Sequence, residues 1–144
     1  MAGGKHDNPV DFTLVDTSGK EVQLSDYRGK FVHIDMWASW CGPCLAALPE
    51  VKEAQQELKD VEIVWMFVSF DKDIKTWKKF LKEKGLPGVH LFAKNEEGDR
   101  VKDLFRIKGI PYYVWIDKEG KIAMLNAPSP NSKVQGQLRQ FAAE

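Results

Sequence analysis

The sequence predicts an α/β fold built on one central mixed β-sheet flanked by helices. Three observations carry that expectation. Two dense β-type runs, 31–37 and 61–70, are mostly apolar, as strands covered on both faces of a sheet are. Strand-like and helical stretches alternate through most of the chain. The chain then closes on two strand-like runs joined by a tight turn, followed by a helix, which adds antiparallel pairing to an otherwise parallel pattern. The two dense runs are expected at the centre of the sheet.

Residues 1–8 are polar, contain glycine and lack an apolar signal core, so they read as a flexible tail ahead of one domain spanning 9–144. Runs at 11–15 and 21–24 alternate like short strands, with the turn residues Asp16-Thr17-Ser18-Gly19 between them, and predict a β-hairpin. The stretch 24–30 reads as a short helical turn closed by Gly29. The strand 31–37 follows. A helix is predicted over 44–59, with Leu45, Leu48, Val51 and Leu58 on its apolar face and Pro49 as a kink. After the strand 61–70, Asp73 is a candidate cap for a helix that stops at Gly85. Six lysines against three acids in 71–84 read as the solvated face of that helix. A strand at 88–92, a helix at 99–107, a hairpin of 112–117 and 121–125, and a helix at 132–142 complete the chain.

Composition narrows the function. The 144 residues are 43% hydrophobic and 29% charged, which suits a globular domain with a real core. Lys+Arg and Asp+Glu are 21 each, so phosphate neutralisation on nucleic acid is not the expected task. The longest apolar run, 63–68, falls far short of the ~20 residues of a membrane helix. Two cysteines are too few for a disulfide-dense scaffold.

Those two cysteines carry the chemistry. Trp40-Cys41-Gly42-Pro43-Cys44 lies where a central strand gives way to a helix. At a helix start the first thiol sits beside unsatisfied amides, which favour its thiolate together with the helix dipole. Pro43 suits the first turn, where a missing N–H costs little, and Gly42 leaves the approach to Cys41 open. Such motifs lower a thiol pKa from about 8.5 to roughly 7. The thiolate fraction at pH 7 then rises roughly sixteen-fold while intrinsic nucleophilicity falls roughly five-fold, a net gain of only about three-fold. Each pKa unit is also about 1.4 kcal/mol, or about 30 mV for a two-electron couple. The surroundings of Cys41 therefore set redox poise more than speed. A purely structural disulfide is the alternative. A zinc site would need His6, His33 or His90, and no second C-x-x-C or close histidine pair supplies the ligands.

The motif resembles the active site of the thioredoxin family. Asp35-Met36-Trp37-Ala38-Ser39 resembles that family's strand ending, and Gly109-Ile110-Pro111 resembles its cis-proline loop. The likeness runs from about 11 to 141. The leading hairpin, the 24–30 turn and the extra helix and strand at 73–92 are similar to the TlpA and ResA type of the bacterial cell envelope. The resemblance implies a thioredoxin fold with an N-terminal β-hairpin and a helix–strand insertion. It also implies disulfide reduction outside the cytoplasm, in the periplasm or envelope, with cytochrome c maturation or general disulfide repair as client classes. The envelope reading supposes an export signal that residues 1–8 do not show, and a cytoplasmic location is the alternative. The partners it implies are a disulfide-bonded protein substrate and an upstream dithiol donor such as a membrane thiol transporter; no metal, flavin or nucleotide is required, and the chain is read as a monomer.

Two positions depart from that subgroup. A glutamate often stands three residues after the second cysteine, where this chain has Ala47. An asparagine often stands where this chain has Asp35, the residue of thioredoxin proper. We read the acid as having changed address. Burial of Asp35 without a cation should raise its pKa and make it a base for Cys44. By the same resemblance Trp40, Gly42, Pro43, Ile110 and Pro111 contact substrate, the Ile110 backbone pairing with a client strand. Trp37, Trp65 and Trp115 read as core, and His33 as a packed histidine on the face of Asp35. A peroxidase of related fold would need Pro-x-x-x-Thr/Ser-x-x-Cys, which neither cysteine has; a binding or chaperone module without turnover is the other rival.

Overall fold

The computed structural model describes residues 8–144. The expected tail at 1–8 lies outside the described residues, Asn8 apart. Seven strands form one mixed sheet: β1 (Thr13–Val15), β2 (Glu21–Gln23), β3 (Phe31–Trp37), β4 (Ile63–Ser69), β5 (Val89–Phe92), β6 (Tyr112–Ile116) and β7 (Ile122–Ala127). Their order is β2-β1-β5-β4-β3-β6-β7, so the two dense apolar runs do lie at the centre. β3, β4 and β5 run parallel. β6 and β7 add antiparallel strands on one side, and the β1–β2 hairpin joins β5 antiparallel on the other.

Four helices cover the sheet: α1 (Gly42–Glu57), α2 (Ile74–Lys84), α3 (Asn95–Phe105) and α4 (Ser132–Ala143). All seven residues of β3 are buried. Val32, Ile34 and Met36 face the cluster that holds Val101 and Phe105 of α3. The alternate residues face α1, α2 and α4, with Trp37 beside Leu48, Val51 and Trp77, and Phe31 beside Leu58 and Leu138. This two-sided burial is why β3 reads as a continuous apolar run. His33 and Asp35 are the polar exceptions within it. Among the described residues no helix is long and apolar enough to cross a membrane.

The helix–strand insertion comprises α2 and β5. Asp73 caps α2, its carboxylate accepting from the Lys75 N–H at 3.1 Å and the Thr76 hydroxyl at 2.8 Å, and Gly85 ends the helix with φ 59°. The lysines of α2 are exposed, and its buried Trp77 packs on Phe92 of β5 at 5.1 Å. β5 in turn carries the hairpin through Val15↔Phe92. Gly88 enters β5 with φ 137°, and a Cβ there would lie 2.5 Å from the Trp65 carbonyl oxygen. No other residue type fits that approach.

Three expectations need correction. α1 begins two residues earlier than 44. α3 begins at Asn95 rather than 99, because Gly98 lets the helix start close against the end of β5: a Cβ at Gly98 would lie 2.9 Å from the Ala93 carbonyl oxygen. Trp65 is half-buried rather than core, since it lines an open groove between the end of α1 and the 85–88 connection.

Candidate active site

α1 begins at Gly42 because Cys41 is its cap. The Cys41 backbone is extended, at φ −91° and ψ 104°, and its sulfur accepts from the Cys44 N–H at 3.2 Å. A sulfur thus fills the place usually held by a hydroxyl or carboxylate, which explains the late sequence boundary. Pro43 sits in the first turn, and no acidic residue lies there to oppose negative charge on Cys41. The helix runs on through Pro49 without interruption.

Cys41 and Cys44 are joined as a disulfide, their Cα atoms 5.3 Å apart. Both are buried, with Cys44 the deeper. Trp40, immediately before them, is 65% exposed, the most exposed large apolar side chain of the described residues. The Ile110–Pro111 peptide bond is cis, and the Ile110 carbonyl oxygen lies 3.8 Å from Cys41 Sγ. The β3–β6 ladder ends at Met36↔Tyr112, so Ile110 stands beyond it with its backbone beside the disulfide. The fold therefore brings Trp40, Gly42, Pro43, Ile110 and Pro111 around the cysteines, across a sequence gap of nearly seventy residues.

Asp35 is 3% exposed and lies in register with Phe67 of β4 and Tyr113 of β6. Among the described residues no cation pairs with it, and burial pushes its carboxyl up to about 7. It shares a face of β3 with Trp37, which packs in the cluster containing both cysteines. His33, on the same face, is packed between Trp65 at 4.9 Å and Tyr113 at 5.5 Å, and neither ring nitrogen has a hydrogen-bond partner. Burial drives its pKa down to about 3, so it is neutral. His90 is likewise a packing residue: it stacks on Phe67 at 4.9 Å and bonds the Leu86 carbonyl at 2.7 Å. His6 lies outside the described residues.

Sequence reasoning missed Asp71. Its buried carboxylate accepts from the Ser39 N–H at 3.0 Å, the Ser39 hydroxyl at 2.6 Å and the Ser69 hydroxyl at 2.6 Å. It thereby ties the loop that carries Trp40-Cys41 to the end of β4. Thirty-two positions separate Asp71 from Ser39, so no local spacing announces the pair. Asp71→Ala would leave three donors without their acceptor. We expect a loss of about 3 kcal/mol of stability, read from urea unfolding, and about ten-fold slower disulfide exchange. An unchanged midpoint would show that the anchor is dispensable.

The arrangement is a redox couple at a helix start, with the exposed Trp40 at its rim, the Ile110 backbone beside it and a buried acid. Comparison with known proteins sets that couple among thiol–disulfide oxidoreductases. Residues 5–138 match the Redoxin family. Probable nucleoredoxin 1 of Arabidopsis thaliana is 30% identical over 139 residues, 95% of this chain and 22% of that protein. Thiol-disulfide oxidoreductase ResA of Geobacillus kaustophilus is 30% identical over 115 residues, 80% of this chain and 64% of that protein. The chain thus spans about a fifth of the first and just under two thirds of the second. The crystal structure of a putative thiol-disulfide oxidoreductase from Bacteroides vulgatus superposes with a TM-score of 0.83 at 29% identity, covering 96% of each chain. With a matching fold, a C-x-x-C disulfide at the start of α1 and a family match across most of its length, this chain belongs to the Redoxin family, among its thioredoxin-like thiol–disulfide oxidoreductases.

Proposed function

We propose that the dithiol form of this oxidoreductase reduces disulfides in client proteins outside the cytoplasm and is itself reset by an upstream dithiol donor. The observation that carries the reading is the Cys41–Cys44 disulfide at the start of α1, facing the backbone of Ile110. In the reduced protein the Cys41 thiolate attacks one client sulfur. The client S–S bond breaks, the other client sulfur leaves and takes up a proton, and a mixed disulfide joins client to Cys41. Cys44 then gives its proton to the Asp35 carboxylate and attacks Cys41 Sγ. The Cys41–client S–S bond breaks, the second client sulfur leaves as a thiolate and takes up a proton, and the client is reduced as the Cys41–Cys44 bond forms. The Cys44 N–H and the helix start favour charge on Cys41 when it is the attacking or leaving sulfur. The Gly42-Pro43 spacer, as in reducing thioredoxins, supports this direction.

The test is the equilibrium potential of the couple in glutathione or dithiothreitol buffers, with insulin reduction as the activity. A value near −270 mV is expected, with insulin precipitating. A value near −120 mV would make the protein an oxidant instead. The extracytoplasmic setting rests on the likeness to ResA-type proteins; fractionating cells that make the protein from its own gene tests it.

A further inference from the structure

Beside the disulfide lies a groove of about 190 Å³ that the exchange chemistry does not itself require. Its walls are apolar: Trp40, Phe70, Ile107 and Ile110. Its two charged lining residues are Lys102 of α3 and Lys108, two residues before Ile110, and among the described residues no acidic one lines it. Both lysines are exposed, and among the described residues neither is in an ion pair. The Lys102 ammonium lies 5.2 Å above the centre of the Phe70 ring, at the groove wall. The whole chain carries no net charge, so this local excess is not part of a generally basic surface. Ile110 belongs to both the groove and the disulfide's surroundings. A client strand paired with the Ile110 backbone therefore runs its neighbouring side chains along these walls.

We infer that the groove selects client segments that carry an apolar side chain and an acidic residue next to their disulfide. The inference rests on the reductase reading above and adds the substrate class. The apolar walls bury the anchor side chain, and the two ammonium groups attract a carboxylate on the same segment while repelling a lysine or arginine there. Discrimination comes as much from that repulsion as from the attraction.

Two synthetic peptide disulfides test it. They share a leucine beside the cysteine and differ only in carrying glutamate or lysine at the flanking positions. The ratio of their kcat/KM values is measured for the wild-type protein, for Lys108→Glu and for Lys102→Glu/Lys108→Glu. We expect the wild type to favour the glutamate peptide by about ten-fold at low salt, the scale of two exposed charge contacts reversed in sign. The preference should shrink to about two-fold at 0.5 M salt, where the screening length is only about 4–5 Å. The single variant should lie between, and the double variant should favour the lysine peptide. Equal rates for both peptides in the wild type, or a preference that survives both substitutions, would overturn the inference. Hydroxyethyl disulfide, uncharged and without side chains, separates the two levels. Its reduction by the wild type alongside equal peptide rates would sink only the groove's selectivity, whereas no reduction of it would remove the reductase reading and this inference together.

Discussion

Cys44→Ser should turn the protein from a catalyst into a trap. Serine keeps the shape of the buried position but has no thiolate to attack Cys41 Sγ. Cys41 would still open a client disulfide and release its first thiol at close to the normal rate. The second half of the cycle would stop there. Multiple-turnover reduction should fall by roughly 1,000-fold, the scale on which loss of a covalent nucleophile is felt. A one-to-one client adduct on Cys41 should accumulate, visible by intact mass or on a non-reducing gel and released by dithiothreitol. Cys41→Ser should lose both turnover and adduct. The asymmetry follows from the site: Cys44 is the deeper sulfur, while Cys41 borders Trp40 and Ile110, the rim at which the proposed client docks. Turnover by Cys44→Ser within ten-fold of the wild type would show that Cys44 is not the resolving thiol.

Asp35→Asn is the second large effect. A carboxyl poised at about 7 is half ionised at neutral pH and suited to accept the Cys44 proton. Asparagine keeps the size and removes the base. Resolution of the mixed disulfide at pH 7 should slow by about 100-fold, and its pH profile should move toward the ordinary thiol range near 8.5. A profile superimposable on the wild type would remove Asp35 from the mechanism. The same substitution has a stability signature. From about pH 4 to 7 the native state holds a proton on Asp35 that the unfolded chain releases, so this contribution to stability falls as pH rises. Above pH 7 the ionised buried carboxylate costs about 4 kcal/mol relative to an unperturbed one. His33 runs the other way. Between about pH 3 and 6.5 the unfolded chain binds a proton that the buried ring refuses, so its contribution rises with pH. The two slopes oppose each other between about pH 4 and 6.5. Across the sheet Asp35 is flanked by Phe67, which is apolar, and Tyr113, whose phenol is pushed up by burial and by Asp35 itself and stays neutral here. Removing the Asp35 slope should leave a variant more stable than wild type at pH 8 and more steeply destabilised by acid below pH 6. Urea midpoints at pH 5, 6.5 and 8 check both signs.

Much of this is legible in the sequence. β3 is legible residue for residue, because a strand buried on both faces is apolar at most of its positions. Asp73 and Gly85 marked the ends of α2, because capping is local chemistry. The limits of α1 and α3 were misread where a local rule met a tertiary one: a cysteine sulfur served as cap, and a glycine that weakens a helix interior let α3 start against β5. The half-burial of Trp65 had no local sign either, since it depends on where α1 and the insertion stop covering β4.

The order of residues alone determined that this chain carries a strand-to-helix dithiol and an acid, Asp35, on the strand that leads to it, because those features follow from spacing and periodicity over a few residues. Only the folded chain decided that Ile110 faces Cys41, that Asp71 braces Ser39, and that Lys102 and Lys108 flank the groove beside the disulfide. Those partners are between 32 and about 70 positions apart, and they meet because the sheet sets β3, β4 and β6 side by side and delivers their ends to one edge. Contacts across that separation are made by packing, which no short window of sequence encodes.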